Sequence, residues 1–399
     1  MRLKLRFPAR EAMQAALAFE SPSVDTVVIN EKRLSLSVSA PIELESVLGE
    51  TAVRSVDLLA REFGAEVVED VKYDLEQDEE VFSFVAESAT EASLPEVLSM
   101  IGADKVHARA TGKGVSIAIV DTGVDGRHSE FPAYRRKGGW AVIGADPWTD
   151  WQGHGTMCMT IAAASKANGR NYVGVAPDAG LYACRSHFYD SELAAIYDFL
   201  VTRAEAGEKI VASNSFGVQT GMAPTPDPNS DFLPALGDAI AAGVFVAFSA
   251  GNYHQLAGGQ PDRCAPTSIW LHKCRNDVMT VATCDLDRAM WFYSSRGKGQ
   301  HFGDPGTSAK PDVTAPTPRN GKILYGSGEK VLQDGWGTSG ACPQVAGLAA
   351  QMWELAPDMT AEEIRDTIRK SASDLGFAHE CQGAGLIDCN ASATSVLLG

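Results

Sequence analysis

The chain of 399 residues contains no apolar run of roughly 18 residues or more, so no membrane-spanning helix is expected. Basic side chains are scarce: 34 Lys and Arg stand against 51 Asp and Glu, a net charge of −17. So acidic a surface repels phosphate backbones and disfavours general nucleic-acid binding. No Cys-x-x-Cys pair occurs, which argues against a cysteine zinc site. The opening MRLKLRFPAREAMQAALAFE lacks the apolar core and small-residue cleavage site of a secretory signal, because Glu11 interrupts its only candidate stretch. A cytoplasmic location is the resulting expectation. Internal repeats and low-complexity tracts are also missing. What is present suits a packed core: 45% hydrophobic and 21% charged residues.

The acidity is uneven. Residues 1–100 hold 9 basic and 20 acidic side chains, most of the total imbalance, which divides the chain into two physical objects. In the first, Arg2–Phe7 alternates polar and apolar residues as a half-buried strand does. Pro8 suits the first position of a helix, and Ala12, Ala15, Ala16 and Phe19 give that helix an apolar stripe. Val24–Ile29 and Leu34–Val38 read as strands around a polar turn. Leu44, Leu48, Ala52, Val56, Leu59 and Phe63 recur at helical spacing, and Ala65–Tyr73 alternates again. The order β-α-β-β-α-β is that of a ferredoxin-like α+β domain, assigned here to residues 1–86. A polar linker is expected over 87–98 and a second domain over 99–399.

From Gly114 the grammar changes. Val115–Val120, Ala141–Ile143, Leu181–Cys184, Ile210–Ser213, Val244–Ser249 and Val278–Ala282 are apolar almost throughout, as strands covered on both faces are. Helical segments such as Glu192–Glu205 and Phe232–Ala242 lie between them, so an α/β fold with a parallel sheet and helices on both faces is expected. Thr360 and Glu363 form a capping box for a helix over Asp358–Ser373. Of eight cysteines, Cys158, Cys184 and Cys342 lie in apolar or small-residue segments and read as buried thiols. Cys264, Cys274, Cys381 and Cys389 lie in loop-like stretches and are candidates for pairing.

Three segments carry chemistry. Asp121 follows a buried strand, at the edge where open α/β sheets place their sites. His154 lies between two glycines, just before a small-residue helix. Ser339 opens another helix rich in Gly and Ala, where free N–H groups are available to an oxyanion. A serine needs a base to take its proton, and the base needs a carboxylate to orient it. A fourth segment ends a buried strand in Asn252, whose amide can donate to developing negative charge. Taken singly, each fits a turn, loop or helix-cap residue; together and in this order they do not.

The segments DTGVD (121–125), GHGT (153–156), SNSFG (213–217), SAGN (249–252) and GTSGACPQVAG (337–347) together resemble the subtilisin-like serine peptidases, the subtilases, over residues 95–395. The resemblance implies Asp121 as orienting acid, His154 as general base and Ser339 as nucleophile. Asn252 and the Ser339 N–H would form the oxyanion hole. Ser213, Ser215, Phe216 and Gly217 would pair with a peptide or protein substrate as an added strand. Ser249, Ala250 and Gly251 would line the pocket for the side chain before the cut bond. No cofactor is implied. Calcium is common in relatives, but here the loop 167–172 has no acid and carries Arg170. Family members usually carry methionine and histidine where this chain has Gly340 and Gln344, and Gly340 is expected to leave room beside the nucleophile.

The first domain resembles a subtilase propeptide. Its tail Val81–Glu87 is expected to lie in the substrate cleft, with self-cleavage within Ala86–Ser93 and the domain acting as an intramolecular inhibitor. The leading function is therefore endopeptidase action through an acyl-enzyme. A transpeptidase or macrocyclase would pass the same acyl group to an amine, and a catalytically silent binding module would not react at Ser339.

Overall fold

The computed structural model describes residues 2–18, 25–39, 48–75, 94–166, 173–217, 227–297, 309–318, 323–325, 330–332 and 336–398. The N-terminal unit runs β1 (Arg2–Arg6), α1 (Arg10–Leu17), β2 (Asp25–Asn30), β3 (Ser35–Ser39), α2 (Leu48–Phe63) and β4 (Glu66–Glu69). Its antiparallel sheet has the order β2-β3-β1-β4, the ferredoxin-like arrangement expected. Pro8 stands two residues before α1 rather than at its first position. Leu5, Phe7, Met13, Leu36, Val38, Val56 and Leu59 form the small core between sheet and helices.

Strand β1 is not half-buried. Its other face carries Arg2 and Lys4, and both are buried against the second unit. Each strand side chain alternates between the two faces, so this row of cations is as ordered as the apolar row behind it.

The second unit begins with α3 (Leu94–Met100) and α4 (Ala103–Val106), whose Leu94, Val97, Leu98 and Val106 join the main core. The described part of this unit begins at Leu94, within the 87–98 stretch expected as linker. Its sheet contains β6 (Val115–Asp121), β7 (Arg136–Trp140), β8 (Gly180–Arg185), β9 (Lys209–Asn214), β11 (Phe245–Ser249), β12 (Met279–Cys284) and β13 (Val313–Pro316). The order is β13-β12-β11-β9-β6-β8-β7 and every pairing is parallel. Along β6, Ile117 and Ile119 face one apolar layer while Ala118 and Val120 face the other. The first layer holds α5 (His154–Ala163) and α8 (Gly337–Leu355); the second holds α6 (Asp190–Glu205) and α7 (Phe232–Ala241). Covering on both faces is why the strands read as continuous apolar runs.

The expected strand Ala141–Ile143 is displaced: the edge strand is Arg136–Trp140, and the apolar trio leads into a turn closed by Ala145 N on Val142 O (3.0 Å). Ile143 is 58% exposed, so its apolar character marks no interior strand. The helix over α9 (Ala361–Ser371) has the capping box read from Thr360 and Glu363. Cys264 pairs with Cys381 in a disulfide, whereas Cys274 and Cys389 are buried thiols, as are Cys158, Cys184 and Cys342. Pairing needs two loops to meet, which spacing along the chain does not reveal.

The two units meet through opposite charges. Lys4 Nζ lies 2.9 Å from Asp190 and 3.0 Å from Asp231, and Arg2 lies 2.5 Å from Glu192. Arg6 reaches Asp231 at 2.7 Å, and Arg33 reaches Asp198 at 2.9 Å. Thus the acidic N-terminal unit turns a basic face toward the other unit. Burial alone would raise the Glu192 carboxyl, but His187 and Arg2 outweigh it and hold the group at about 2.

Candidate active site

Strand β6 delivers Asp121 to the C-terminal edge of the sheet, and α5 begins there with His154. Both are 1% exposed. His154 Nδ1 lies 2.8 Å from Asp121 Oδ1 and 2.9 Å from Oδ2, so the carboxylate accepts the ring N–H and fixes the tautomer. Asp121 Oδ1 also accepts from Thr122 N at 2.7 Å. The approach of α5 to β6 requires Gly155: a Cβ there would strike Gly123 O and lie 3.0 Å from Asp121 Cβ.

Asp150 builds the loop before His154. Its carboxylate accepts from the N–H groups of Gln152, Gly153 and Thr156 and from the hydroxyls of Thr122 and Thr156, at 2.5–3.0 Å. Gln152 Oε1 accepts from His154 N at 2.9 Å. These contacts satisfy the free N–H groups at the start of α5 and hold the histidine toward Asp121. Glu130, also near this loop in sequence, is fully buried.

Ser339 lies in the first turn of α8, whose N-cap is Trp336, so Ser339 is not itself the cap. It is 2% exposed and its Oγ has no hydrogen-bond partner among the described residues. The Cys158 thiol ties it to the histidine: Sγ lies 3.9 Å from His154 Nδ1 and 3.6 Å from Ser339 O. Burial, and then the charge of Asp121, push this thiol well above its usual range. Asp121, His154 and Cys158 are the group close enough to share a metal ion among the described residues. A thiol held neutral is a poor metal ligand, and the cluster serves instead as the packed base of the Asp–His pair. The calcium loop weighed from the sequence, 167–172, lies outside the described residues.

Asn252 is 2% exposed. Its Oδ1 accepts from Thr338 N and Thr338 Oγ1, both at 3.0 Å, while Gly251 N donates to Thr338 Oγ1 at 3.1 Å. With the oxygen accepting, the amide nitrogen is the donor end of this side chain, and it lies close to Gly337 at the start of α8. Gly340 leaves no room beside the serine: a Cβ there would collide with Trp336 Cβ. The missing side chain is the space filled by Trp336. Gln344 donates at 2.8 Å to Pro316 O and Gly340 O, fixing α8 to the end of β13.

The expected substrate edge divides. Ser213 points inward, 3.5 Å from Cys342 Sγ, because β9 is an interior strand. Ser215 Oγ donates to Ser339 O at 3.3 Å. Phe216 is buried with Phe188, Phe232, Phe248 and His272, so its side chain is core while its backbone forms the edge. That edge is occupied. β10 (Phe216–Gly217) pairs antiparallel with β5 (Asp74–Leu75), Phe216 with Leu75 and Gly217 with Asp74. Tyr73 anchors the incoming chain: its N–H donates to Phe188 O at 2.7 Å and its ring packs edge-on against Phe216, Phe232 and His272. The tail 81–87, expected in the cleft, lies outside the described residues.

Ser249, Ala250 and Gly251 are buried at the end of β11. Ala250 lines a small recess with Tyr253, Ser268, Trp270, His272 and Lys273. Asp150 has the structural role its place four residues before His154 suggests, whereas sequence reasoning missed Gln152, Thr122 and Thr338, which hold the segments of His154, Asp121 and Asn252. A polar residue close in sequence to each motif was the available signal.

A model of the subtilase family, peptidase S8, matches residues 112–385. The alkaline protease of Alkalihalobacillus alcalophilus is 28% identical over 380 residues, covering 93% of this chain and 88% of the relative. Subtilisin Savinase of Lederbergia lenta is 29% identical over 303 residues, 75% of this chain and 98% of the relative. Fervidolysin from Fervidobacterium pennivorans, a keratinolytic enzyme related to subtilisin, superposes with a TM-score of 0.60 at 20% identity, over 100% of this chain and 61% of that one. MycP1 from Mycobacterium smegmatis gives 0.56 at 20% identity, over 77% and 86%. The match over more than half of the chain, on a parallel sheet that brings Asp121 and His154 together beside Ser339, makes this protein a member of the subtilase family and a subtilisin-type serine endopeptidase.

Proposed function

We propose that Ser339 is the nucleophile, His154 the general base and Asp121 the orienting acid of this peptidase, and that the N-terminal unit is its inhibitor and first substrate. Ser339 Oγ attacks the peptide carbonyl while His154 Nε2 takes its proton; the same proton then goes to the leaving amine. Water hydrolyses the acyl-enzyme by the reverse path. Asn252 and the Ser339 N–H donate to the oxyanion. The two-pronged Asp121–His154 contact carries the assignment, because it fixes the ring tautomer and leaves Nε2 as the basic nitrogen.

The inhibitor reading rests on the β5–β10 pairing, in which the chain's own residues 74–75 take the edge a substrate strand would use. Self-cleavage would fall in the segment joining the two units. Wild-type chain is expected to give two fragments by mass spectrometry and Ser339→Ala one. An intact wild-type chain that nevertheless cleaves added peptide would refute self-processing. Failure of Ser339 to label with a fluorophosphonate once the N-terminal unit is displaced would refute its role as nucleophile.

Among the described residues no helix is long and apolar enough to cross a membrane. The Cys264–Cys381 disulfide favours an oxidising compartment over the cytoplasmic location expected from the N-terminus. Thiol counting on native protein taken from its source, with and without reductant, tests this.

A further inference from the structure

A carbonyl attacked by Ser339 puts its oxygen between Asn252 and the Ser339 N–H, the two donors proposed for the oxyanion. The side chain of that residue hangs from the adjoining carbon. It therefore enters beside the residues that lead into Asn252, which are Ser249, Ala250 and Gly251. The recess beside Ala250 stands at that place, and it is almost full. Its free volume is about 10 Å³, room for a single water or a methyl group.

Two rings fill it. Tyr253, the residue after Asn252, stacks on Trp270 with centroids 5.6 Å apart, and each is 7% exposed. The Tyr253 ring also lies against Gly251, where a Cβ would stand 2.7 Å from Tyr253 Cδ2. Leu271 and the partly buried Ala257 pack with the two rings in one apolar cluster.

Both rings sit on tied backbone. Tyr253 N donates to Ser295 Oγ, and His254 N donates to Tyr293 O, each at 3.1 Å. Ser268 N donates to Arg296 O at 2.7 Å, and Ser268 Oγ accepts from Arg296 N at 2.9 Å. Thr280 Oγ1 donates to Lys273 O at 2.6 Å. The segment that carries Trp270 is thus held on either side of the ring. The Cys264–Cys381 disulfide ties down the loop between the two rings. A side chain larger than a methyl group has to displace a packed ring on a fixed backbone, and that strain opposes binding of the transition state.

We propose that the Tyr253–Trp270 stack makes this peptidase selective for a small residue, glycine or alanine, on the acyl side of the cut bond. The proposal rests on Ser339 acting as nucleophile with Asn252 as oxyanion donor. The stack works by exclusion: it leaves a small side chain undisturbed and refuses a large one.

The test uses the full-length chain, wild type and variants, assayed once the N-terminal unit has been displaced. The peptides differ only at the residue before the cut (Gly, Ala, Val, Leu or Phe), and each product is identified by mass. Wild type is expected to give kcat/KM at least about tenfold higher for Ala than for Leu or Phe. Trp270→Ala and Tyr253→Ala, which each remove one ring, should raise the Phe/Ala ratio by at least about tenfold. A ring that merely supported the fold would lower both rates and leave their ratio unchanged. If neither variant folds, the wild-type profile decides alone. Three results would overturn the proposal while leaving the peptidase assignment standing. They are wild-type rates for Leu or Phe equal to or above that for Ala, fluorophosphonate labelling of Ser339 without cleavage of the Gly and Ala peptides, and an unchanged ratio in both folded variants. Absence of all cleavage together with absence of labelling would overturn the reading of Ser339, and this proposal with it.

Discussion

Lys4→Met should loosen the N-terminal unit by about 3 kcal/mol. The Lys4 side chain is fully buried, and its Nζ contacts Asp190 at 2.9 Å, Asp231 at 3.0 Å and Asn229 O at 3.0 Å. Removing one partner of a buried ion pair costs about 3–5 kcal/mol, because the other charge stays buried. The lower end applies here. Asp231 keeps Arg6 at 2.7 Å, and Asp190 keeps donors from Ser230 Oγ and the Asp231 N–H. About 3 kcal/mol corresponds to roughly a hundredfold rise in the opening equilibrium. Hydrogen exchange in the Ser339→Ala background, which leaves the chain uncut, reads this directly at the amides of β1 and of the β5–β10 pair. Asp231→Asn, which leaves the sequence of β1 unchanged, should loosen the same amides to a smaller degree, which separates loss of docking from loss of the N-terminal fold. A change below about threefold in both variants would refute the view that these pairs hold the two units together.

Stability should also depend on Glu192 in acid. Its folded pKa of about 2 lies below the ordinary 4.5, so its contribution is complete above about pH 4.5 and is lost as pH falls toward 2. The shift is worth about 3 kcal/mol in total; urea unfolding at pH 5 and pH 3 should show a smaller pH loss in Glu192→Gln than in the parent, and equal losses would refute it. Asn252→Ala should lower kcat by about 10²–10³ with little change in KM, the size known for such a donor in subtilisins rather than one worked from this structure; steady-state kinetics on a peptide substrate checks it. Gly340→Ala should cost about 1–3 kcal/mol by urea unfolding, because its Cβ meets the Cβ of Trp336 one turn earlier in the same helix. A neutral Gly340→Ala would mean that Trp336 is free to shift.

Two kinds of residue were readable from the chain. Motif residues such as Asp121, His154 and Asn252 follow buried strands or open small-residue helices, so local pattern and chemistry coincide there. The Thr360–Glu363 capping box is likewise a local device, complete within four residues. Features that depend on two distant segments meeting were not readable. Phe216 reads as a substrate-edge residue, but its ring belongs to an aromatic cluster assembled from four other parts of the chain. Gly340 reads as a gap, but Trp336 fills it.

The amino-acid sequence by itself determined the two units, the parallel sheet and the motifs that hold the proposed reactive groups, because periodicity and side-chain chemistry are local properties. Tertiary structure decided how those parts work on one another. It turned the basic face of an acidic domain onto Asp190, Glu192 and Asp231, and paired Asp74–Leu75 with the Phe216–Gly217 edge. Electrostatic and backbone pairing depend on distances across the fold, and those are fixed only once the chain has packed.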